Sequence, residues 1–160
     1  MLKRVRKPTS APSGTPLRVA IVASEYNRKH VDSLLDGAVR ALAEAGAETE
    51  VVRVPGAFEI PLATEYVAAR EDISAVVCLG VIIRGETSHA DLVGESVTRA
   101  LMEIGLRHRI PVVHEVLLVA NRSQADVRCL DPKHNRGVEA AGTALAMARL
   151  VGRWKRNSAP

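Results

Sequence analysis

Aromatic side chains are scarce in this sequence. They make up 2% of its 160 residues, whereas hydrophobic residues make up 47%. The core must therefore consist of Val, Leu, Ile and Ala, which suits strands covered on both faces by helices and argues against an antibody-like sandwich. A chain of this length fits one domain with a substantial apolar core.

Cysteines and long apolar runs are also few. Two cysteines, Cys78 and Cys129, cannot supply a disulfide framework, and the strand-like run around Cys78 is typical of a buried thiol. No stretch approaches the roughly 18 uninterrupted apolar residues of a membrane helix, and the amino terminus lacks the apolar core of a secretory signal. We therefore expect a cytoplasmic protein that does not associate with membranes.

The net charge of +4 is concentrated at the amino terminus. The 22 basic residues exceed the 18 acidic ones by four, and an acid-free tail holds four basic residues, namely Lys3, Arg4, Arg6 and Lys7. Since the rest of the chain is neutral, we expect no basic face and no binding of nucleic acid. Residues 1–15 are predicted to be a disordered basic tail, with a transit peptide as the alternative, and residues 16–160 to be a single domain.

Segments with strand and helix patterns alternate along that domain. Strands are predicted at about 17–24, 48–54, 75–83 and 110–118. Helices are predicted at about 31–42, 58–70, 88–109, 123–129 and 137–152. Such alternation predicts a three-layer α/β/α sandwich around a four-stranded parallel sheet.

Polar residues follow the first three strands, where ligands of parallel sheets bind. These strand ends are residues 24–27, 55–59 and 84–89. In the third, Gly85 permits a tight turn, and the N–H groups at the start of the next helix offer donors to an anion such as phosphate. An ordinary helix cap without a ligand is the alternative, and Ser88 with Asp91 has the spacing of a capping box.

His89 falls in the first turn of that helix, beside the anion site. The positive helix end keeps its imidazole neutral and able to accept a proton. From the residues alone, however, a surface or capping histidine is the simpler interpretation. Glu59 at the start of another helix can likewise be an ordinary first-turn acid.

Other polar residues have simpler interpretations. His30, His108 and His134 look like helix-surface residues, and no histidine pair has the i, i+4 spacing of a zinc site, so no metal is predicted. Dinucleotide and P-loop motifs are missing, which argues against a purine-nucleotide cofactor. Arg128 and Arg136 can be solvated charges at helix ends.

Three motifs together resemble the lumazine synthase family in order and spacing: VPGAFEIP at 54–61, LGVIIRGETSH at 79–89 and NRG at 135–137. The resemblance extends from about residue 17 to residue 150. It implies a flavodoxin-like fold and a cofactor-free step of riboflavin biosynthesis. In that step, 5-amino-6-(D-ribitylamino)uracil condenses with 3,4-dihydroxy-2-butanone 4-phosphate to give 6,7-dimethyl-8-ribityllumazine, phosphate and water.

The resemblance also implies a role for each site residue. His89 matches the histidine that transfers protons, and Tyr26 matches the aromatic that stacks on the pyrimidine. The segment that holds the ribityl chain is matched by Ala57, Phe58 and Glu59. The strand end whose backbone contacts the uracil edge is matched by Val81, Ile82 and Ile83.

The phosphate contacts and the second subunit follow from the same resemblance. Glu86 and Thr87 match positions that meet the butanone phosphate, and Arg128 matches a phosphate-binding arginine contributed by a neighbouring subunit. His114 stands where a phenylalanine of the adjacent subunit usually packs on the ring, and an imidazole offers less apolar area there. Ala90, Glu86 and the segment 117–122 also depart from the common family pattern.

The resemblance also implies a homopentamer whose active sites lie between subunits. A 60-subunit icosahedral shell is left open, as is a riboflavin synthase partner. Two other functions remain: a non-catalytic shell protein that binds flavin or lumazine, and a flavodoxin-like electron carrier. Formation of lumazine from both substrates would distinguish the enzyme from either.

Overall fold

Four parallel strands form the central sheet in the order β2-β1-β3-β4. The computed structural model describes residues 16–157, so the predicted tail of residues 1–15 lies outside the described part. The strands are β1 (Arg18–Ser24), β2 (Glu48–Val54), β3 (Ala75–Ile83) and β4 (Val112–Val119). The helices are α1 (Arg28–Glu44), α2 (Ile60–Ala68), α3 (His89–His108), α4 (Arg122–Cys129) and α5 (Arg136–Asn157).

Helices cover both faces of the sheet. In β1, Val19, Ile21 and Ala23 point to the layer of α1, α4 and α5, while Ala20 and Val22 point to the layer of α2 and α3. Alternating side chains thus feed two separate apolar cores, because successive residues of a strand face opposite sides. The predicted three-layer sandwich with a four-stranded parallel sheet is confirmed.

Most boundaries agree with the prediction, and the differences have local causes. The segment predicted as a helix from residue 58 begins with a 3-10 turn, Ala57–Glu59, before α2, which has Pro61 in its first turn. Strand β4 begins at Val112, because Pro111 has no N–H for the ladder, although its carbonyl accepts a hydrogen bond from the Val76 N–H (2.8 Å).

Cys78 lies at the centre of the sheet and is fully buried. Burial raises the pKa of its thiol to about 12, and its Sγ lies 3.2 Å from the Thr64 hydroxyl. The predicted buried thiol is confirmed. Within residues 16–157, no helix is long and apolar enough to cross a bilayer.

Candidate active site

The three polar loops predicted from the sequence meet at the carboxyl edge of the sheet. The N–H of Glu25 donates to the carbonyl of Val54 (2.8 Å), and that of Tyr26 donates to the carbonyl of Pro55 (3.0 Å). The Asn27 amide donates to the Val81 carbonyl (2.7 Å), which ties the first loop to the end of β3. The ends of β1, β2 and β3 therefore lie together, and we call the surface they border the crevice.

Two aromatic side chains stand in solvent at this crevice. Tyr26 is 73% exposed and Phe58 is 64% exposed, in a chain that has only two other aromatic residues besides them. Glu59 is also exposed, and Ala57 is half-buried. Exposed rings beside polar groups offer stacking surfaces for a planar ligand.

The end of β3 projects beyond its neighbour β1. The ladder between β1 and β3 ends at Leu79, whereas the ladder between β3 and β4 continues to Ile83. The Val81 carbonyl points toward β1, where it accepts the Asn27 bond, and Ile83 shares that direction because backbone groups alternate along a strand. The Ile83 backbone thus faces the crevice, while that of Ile82 faces β4.

The loop after β3 leads directly into α3, whose first residue is His89. The His89 backbone N–H lies 3.4 Å from the Thr87 hydroxyl, and the side chains of Glu86, Thr87 and His89 are all exposed. The first N–H groups of a helix have no partner within the helix, so this end of α3 can receive an anion. An exposed imidazole and the free N–H groups of a helix start are therefore adjacent.

The capping box predicted at the start of α3 is wrong. Ser88 adopts φ −71° and ψ 0°, and its hydroxyl makes no capping hydrogen bond. A capping serine needs an extended backbone to reach the third helical N–H. Asp91 instead pairs with Arg84, whose Nε donates to it at 3.1 Å, because a charged donor competes better for a carboxylate than a backbone N–H.

Two predicted site residues lie away from this crevice. His114 is near the amino end of β4, five residues before Val119, which corresponds to about 16 Å along the strand. Arg128 is in the last turn of α4, in the layer opposite α3. One chain thus places ten of the twelve predicted residues at this edge, although the backbone of Ile82 faces β4, and the other two residues lie elsewhere.

Hydrogen bonds hold the His114 ring in one tautomer. The Val116 N–H donates to His114 Nδ1 (3.2 Å), so Nε2 carries the hydrogen that points to the Thr98 hydroxyl (2.7 Å). Thr98 in turn donates to the Gly94 carbonyl (2.7 Å). Burial lowers the pKa of His114 below its ordinary value, so folding favours the neutral ring.

We expect replacement of His114 by glutamine to reduce the loss of stability in acid. A histidine whose pKa is lowered on folding stabilises the fold fully above its unfolded pKa of about 6.5, and this contribution is lost as the pH falls through that value toward the folded pKa. Urea unfolding at about pH 7.5 and pH 5.5, at one protein concentration, measures the difference. Equal acid sensitivity in both proteins would contradict the burial of a neutral His114.

Two other expectations are corrected. His30 is not a helix-surface residue, since it is 3% exposed and its Nε2 lies 2.7 Å from Asp126 Oδ1. Arg136 is not a solvated helix-end charge, since its Nε donates to the buried Glu115 (2.8 Å). Burial raises the pKa of Glu115, and Arg136 opposes that effect.

The remaining histidines also have carboxylate partners. His108, at the end of α3, is half-buried with Nε2 2.9 Å from Glu65 Oε1. His134 lies in a turn rather than on a helix, with Nδ1 2.9 Å from Asp131 Oδ2. Among the described residues, no group of three or more His, Cys, Asp or Glu is arranged to hold a metal ion.

Asn27 belongs to the first polar loop, but its structural role there was not predicted from the sequence. It adopts the left-handed conformation (φ 55°) between β1 and α1, and its side chain fixes the end of β3. The residue type was a usable signal, because an asparagine in the loop after a buried strand tolerates the left-handed conformation better than most residues.

Comparison with known proteins points to one family. The family model described as 6,7-dimethyl-8-ribityllumazine synthase matches residues 16–152. A protein of that name from Aquifex aeolicus is 40% identical over 137 residues, covering 84% of this chain and 89% of that protein. Those from Xanthobacter autotrophicus and Azorhizobium caulinodans are each 42% identical, over 83% and 88% of this chain and 84% and 91% of their own length.

Proposed function

The chain belongs to the 6,7-dimethyl-8-ribityllumazine synthase family, and from that premise we propose that it catalyses the lumazine-forming step of riboflavin biosynthesis. It joins 5-amino-6-(D-ribitylamino)uracil to 3,4-dihydroxy-2-butanone 4-phosphate. The observation that carries the proposal is that both long motifs, at 54–61 and 79–89, lie at the same edge of the sheet.

The pyrimidine lies against the exposed aromatic residues in this proposal. Tyr26 stacks on its ring, and the Ile83 backbone, which faces the crevice, offers hydrogen bonds to the uracil edge. The segment Ala57–Glu59 extends along the ribityl chain, where the Glu59 carboxylate accepts hydrogen bonds from hydroxyl groups. This placement leaves the pyrimidine amine near the end of α3.

The second substrate binds through its phosphate at the start of α3. The N–H groups of the first turn and the Thr87 hydroxyl donate to the phosphate oxygens. Glu86 contributes through its backbone, while its carboxylate remains in solvent. His89 then lies next to the ketone. It moves protons while the amine forms an imine, phosphate leaves and the second ring closes.

Arg128 and His114 complete the site from a neighbouring subunit in this proposal. Both lie outside the crevice of their own chain, and a guanidinium is the side chain best suited to a phosphate. Holding both substrates in register supplies much of the acceleration, so an incomplete site should be poorly active.

A groove at the β4 edge supports assembly into a homopentamer. It has a volume of about 1110 Å³ and lies between α3, β4 and α5. Its apolar lining includes Leu106, which is 71% exposed, and Trp154, which is 55% exposed. Apolar surface of this extent beside an unpaired edge strand is typical of a subunit interface. A shell of 60 subunits is a further arrangement of the same pentamer.

The setting of the reaction is proposed from the family as well. Residues 16–160 form one lumazine synthase domain, the protein works in the cytoplasm, and riboflavin synthase consumes its product. No cofactor takes part, because imine formation and phosphate elimination need only proton transfer.

Product formation tests the proposed activity. Purified protein supplied with both substrates should form fluorescent 6,7-dimethyl-8-ribityllumazine well above the spontaneous rate. Retention of added lumazine or flavin without turnover would instead indicate a non-catalytic binding shell. Flavin bound tightly in the protein as isolated would favour an electron carrier.

The groove predicts the effect of a charge at the interface. Leu106→Asp should dissociate the assembly and lower the activity below about a tenth of wild type, because burying an unpaired carboxylate costs several kcal/mol. Sedimentation velocity and lumazine formation measure the two effects. The matched control is Tyr66→Asp, an equally exposed position outside the groove. An intact, active Leu106→Asp oligomer would contradict the interface.

A further inference from the structure

Helix α4 carries Arg128, and its position depends on contacts with α1. The helix has eight residues, and it buries only Ala125 and Cys129. Two apolar side chains hold a short helix weakly, because most helical stability in proteins comes from an extensive packed face. Polar contacts must therefore contribute to its orientation.

One set of hydrogen bonds holds the carboxyl end of α4. The Cys129 carbonyl accepts from the Ser33 hydroxyl (2.7 Å) and from the Asn135 amide (2.7 Å). The Asn135 carbonyl oxygen accepts from the Gly137 N–H (2.9 Å) at the start of α5. There α1 and α5 are in close contact, since a Cβ on Gly137 would lie 1.9 Å from the Leu34 carbonyl oxygen.

A second contact holds the helix one turn earlier. His30 of α1 is 3% exposed, and its Nε2 lies 2.7 Å from Asp126 Oδ1 on α4. A buried ring has little freedom to move, so it fixes the Asp126 side chain and with it the rotation of α4 about its own axis. Without it, the polar contacts of α4 with α1 and with the residues before α5 are confined to its carboxyl end.

Arg128 lies on the other side of α4 from this contact. Its Nη1 donates to the Gln124 carbonyl (3.1 Å), so the guanidinium lies along the outer face. Asp126 is two residues earlier, and side chains at i and i+2 do not share a helix face. Holding Asp126 toward α1 thus turns Arg128 outward and keeps a negative charge away from it.

We propose that His30 and Asp126 form a latch that positions Arg128 for the phosphate substrate bound by the neighbouring subunit. His30 is a positioning residue in this scheme, because it touches neither substrate. The inference rests on the proposed function of Arg128 and adds the contact that orients its guanidinium.

Steady-state kinetics on the assembled enzyme tests the latch. His30→Leu should raise the KM for 3,4-dihydroxy-2-butanone 4-phosphate about tenfold, because a misplacement of about 1 Å can have effects of this size or more. The KM for the pyrimidine substrate should stay within about twofold, since Arg128 is proposed to contact the phosphate and not the pyrimidine. His30→Gln, which keeps a hydrogen-bond donor at similar reach, should return the KM for the butanone phosphate most of the way to the wild-type value.

Two further variants guard against a general loss of structure. Asp126→Ala removes the more exposed partner of the latch and should give the same selective rise in the KM for the butanone phosphate. His108→Leu removes the comparable histidine of the His108–Glu65 pair on the opposite layer and should raise neither KM selectively. Equal rises for both substrates in His30→Leu, or the same selective rise in His108→Leu, would overturn the latch.

Arg128→Ala separates the latch from the role on which it rests. If Arg128→Ala raises the KM for the butanone phosphate and His30→Leu does not, only the latch is wrong. If Arg128→Ala leaves that KM unchanged, the assignment of Arg128 is wrong, and the latch is overturned with it.

Discussion

Replacing His89 with alanine should slow lumazine formation about a hundredfold, once the spontaneous reaction of the two substrates is subtracted. His89 is the first residue of α3, beside the N–H groups that can hold the phosphate. Proton transfer by a positioned side chain contributes at least this much in many enzymes. The effect should be on kcat rather than on the KM of the pyrimidine, which binds elsewhere in the crevice.

The rate of the variant distinguishes two mechanisms. His134→Ala is the matched control, because His134 is a histidine away from the crevice, in a turn between α4 and α5. It should keep the wild-type rate. A His89→Ala rate equal to wild type would show that substrate positioning alone accelerates the reaction and that no imidazole is required.

Mixing two impaired variants, His89→Ala and Arg128→Ala, should restore activity. His89→Ala subunits keep Arg128, and Arg128→Ala subunits keep His89. If each site takes His89 from one subunit and Arg128 from the next, unfolding and reassembly of an equal mixture should recover roughly a quarter of the wild-type sites, since each position is intact with a one-in-two chance. Each variant alone should stay at its low rate.

The separation of the two residues within one chain is the reason for this expectation. Arg128 lies in the layer of α1, α4 and α5, whereas His89 opens a helix of the opposite layer. Lumazine formation by mixtures at several ratios measures the recovery, and it should be greatest near equal proportions. A mixture no better than the average of its two components would place both residues in the same subunit's site.

Local pattern was sufficient to predict the sheet. Strands β2 and β3 are followed by turn-forming or polar residues, at Pro55-Gly56 and Arg84-Gly85, and both strands occupy the predicted positions. The crevice followed from the same reasoning, because the carboxyl ends of parallel strands share an edge. The position of His89 at the start of α3 needed only the helical periodicity after it.

Pairing of polar side chains could not be predicted in this way. Asp91 has the spacing of a capping residue, but Arg84 takes it, and Ser88 lacks the backbone conformation of a cap. His30 shares the helical spacing of the buried Leu34 and Ala38, but the spacing does not reveal the partner Asp126 that makes burial of its polar ring favourable. In each case the partner is decided by which groups the fold brings together.

The sequence by itself determined the layers, the strands and the content of the three loops at the crevice, because these depend on periodicity over neighbouring residues and on the rules of parallel sheets. Only the tertiary structure decided that His114 and Arg128 lie away from that crevice and that His30 fixes α4. Those facts depend on contacts between distant parts of the chain. His30 and Asp126 are 96 positions apart, and no local pattern encodes such a pairing.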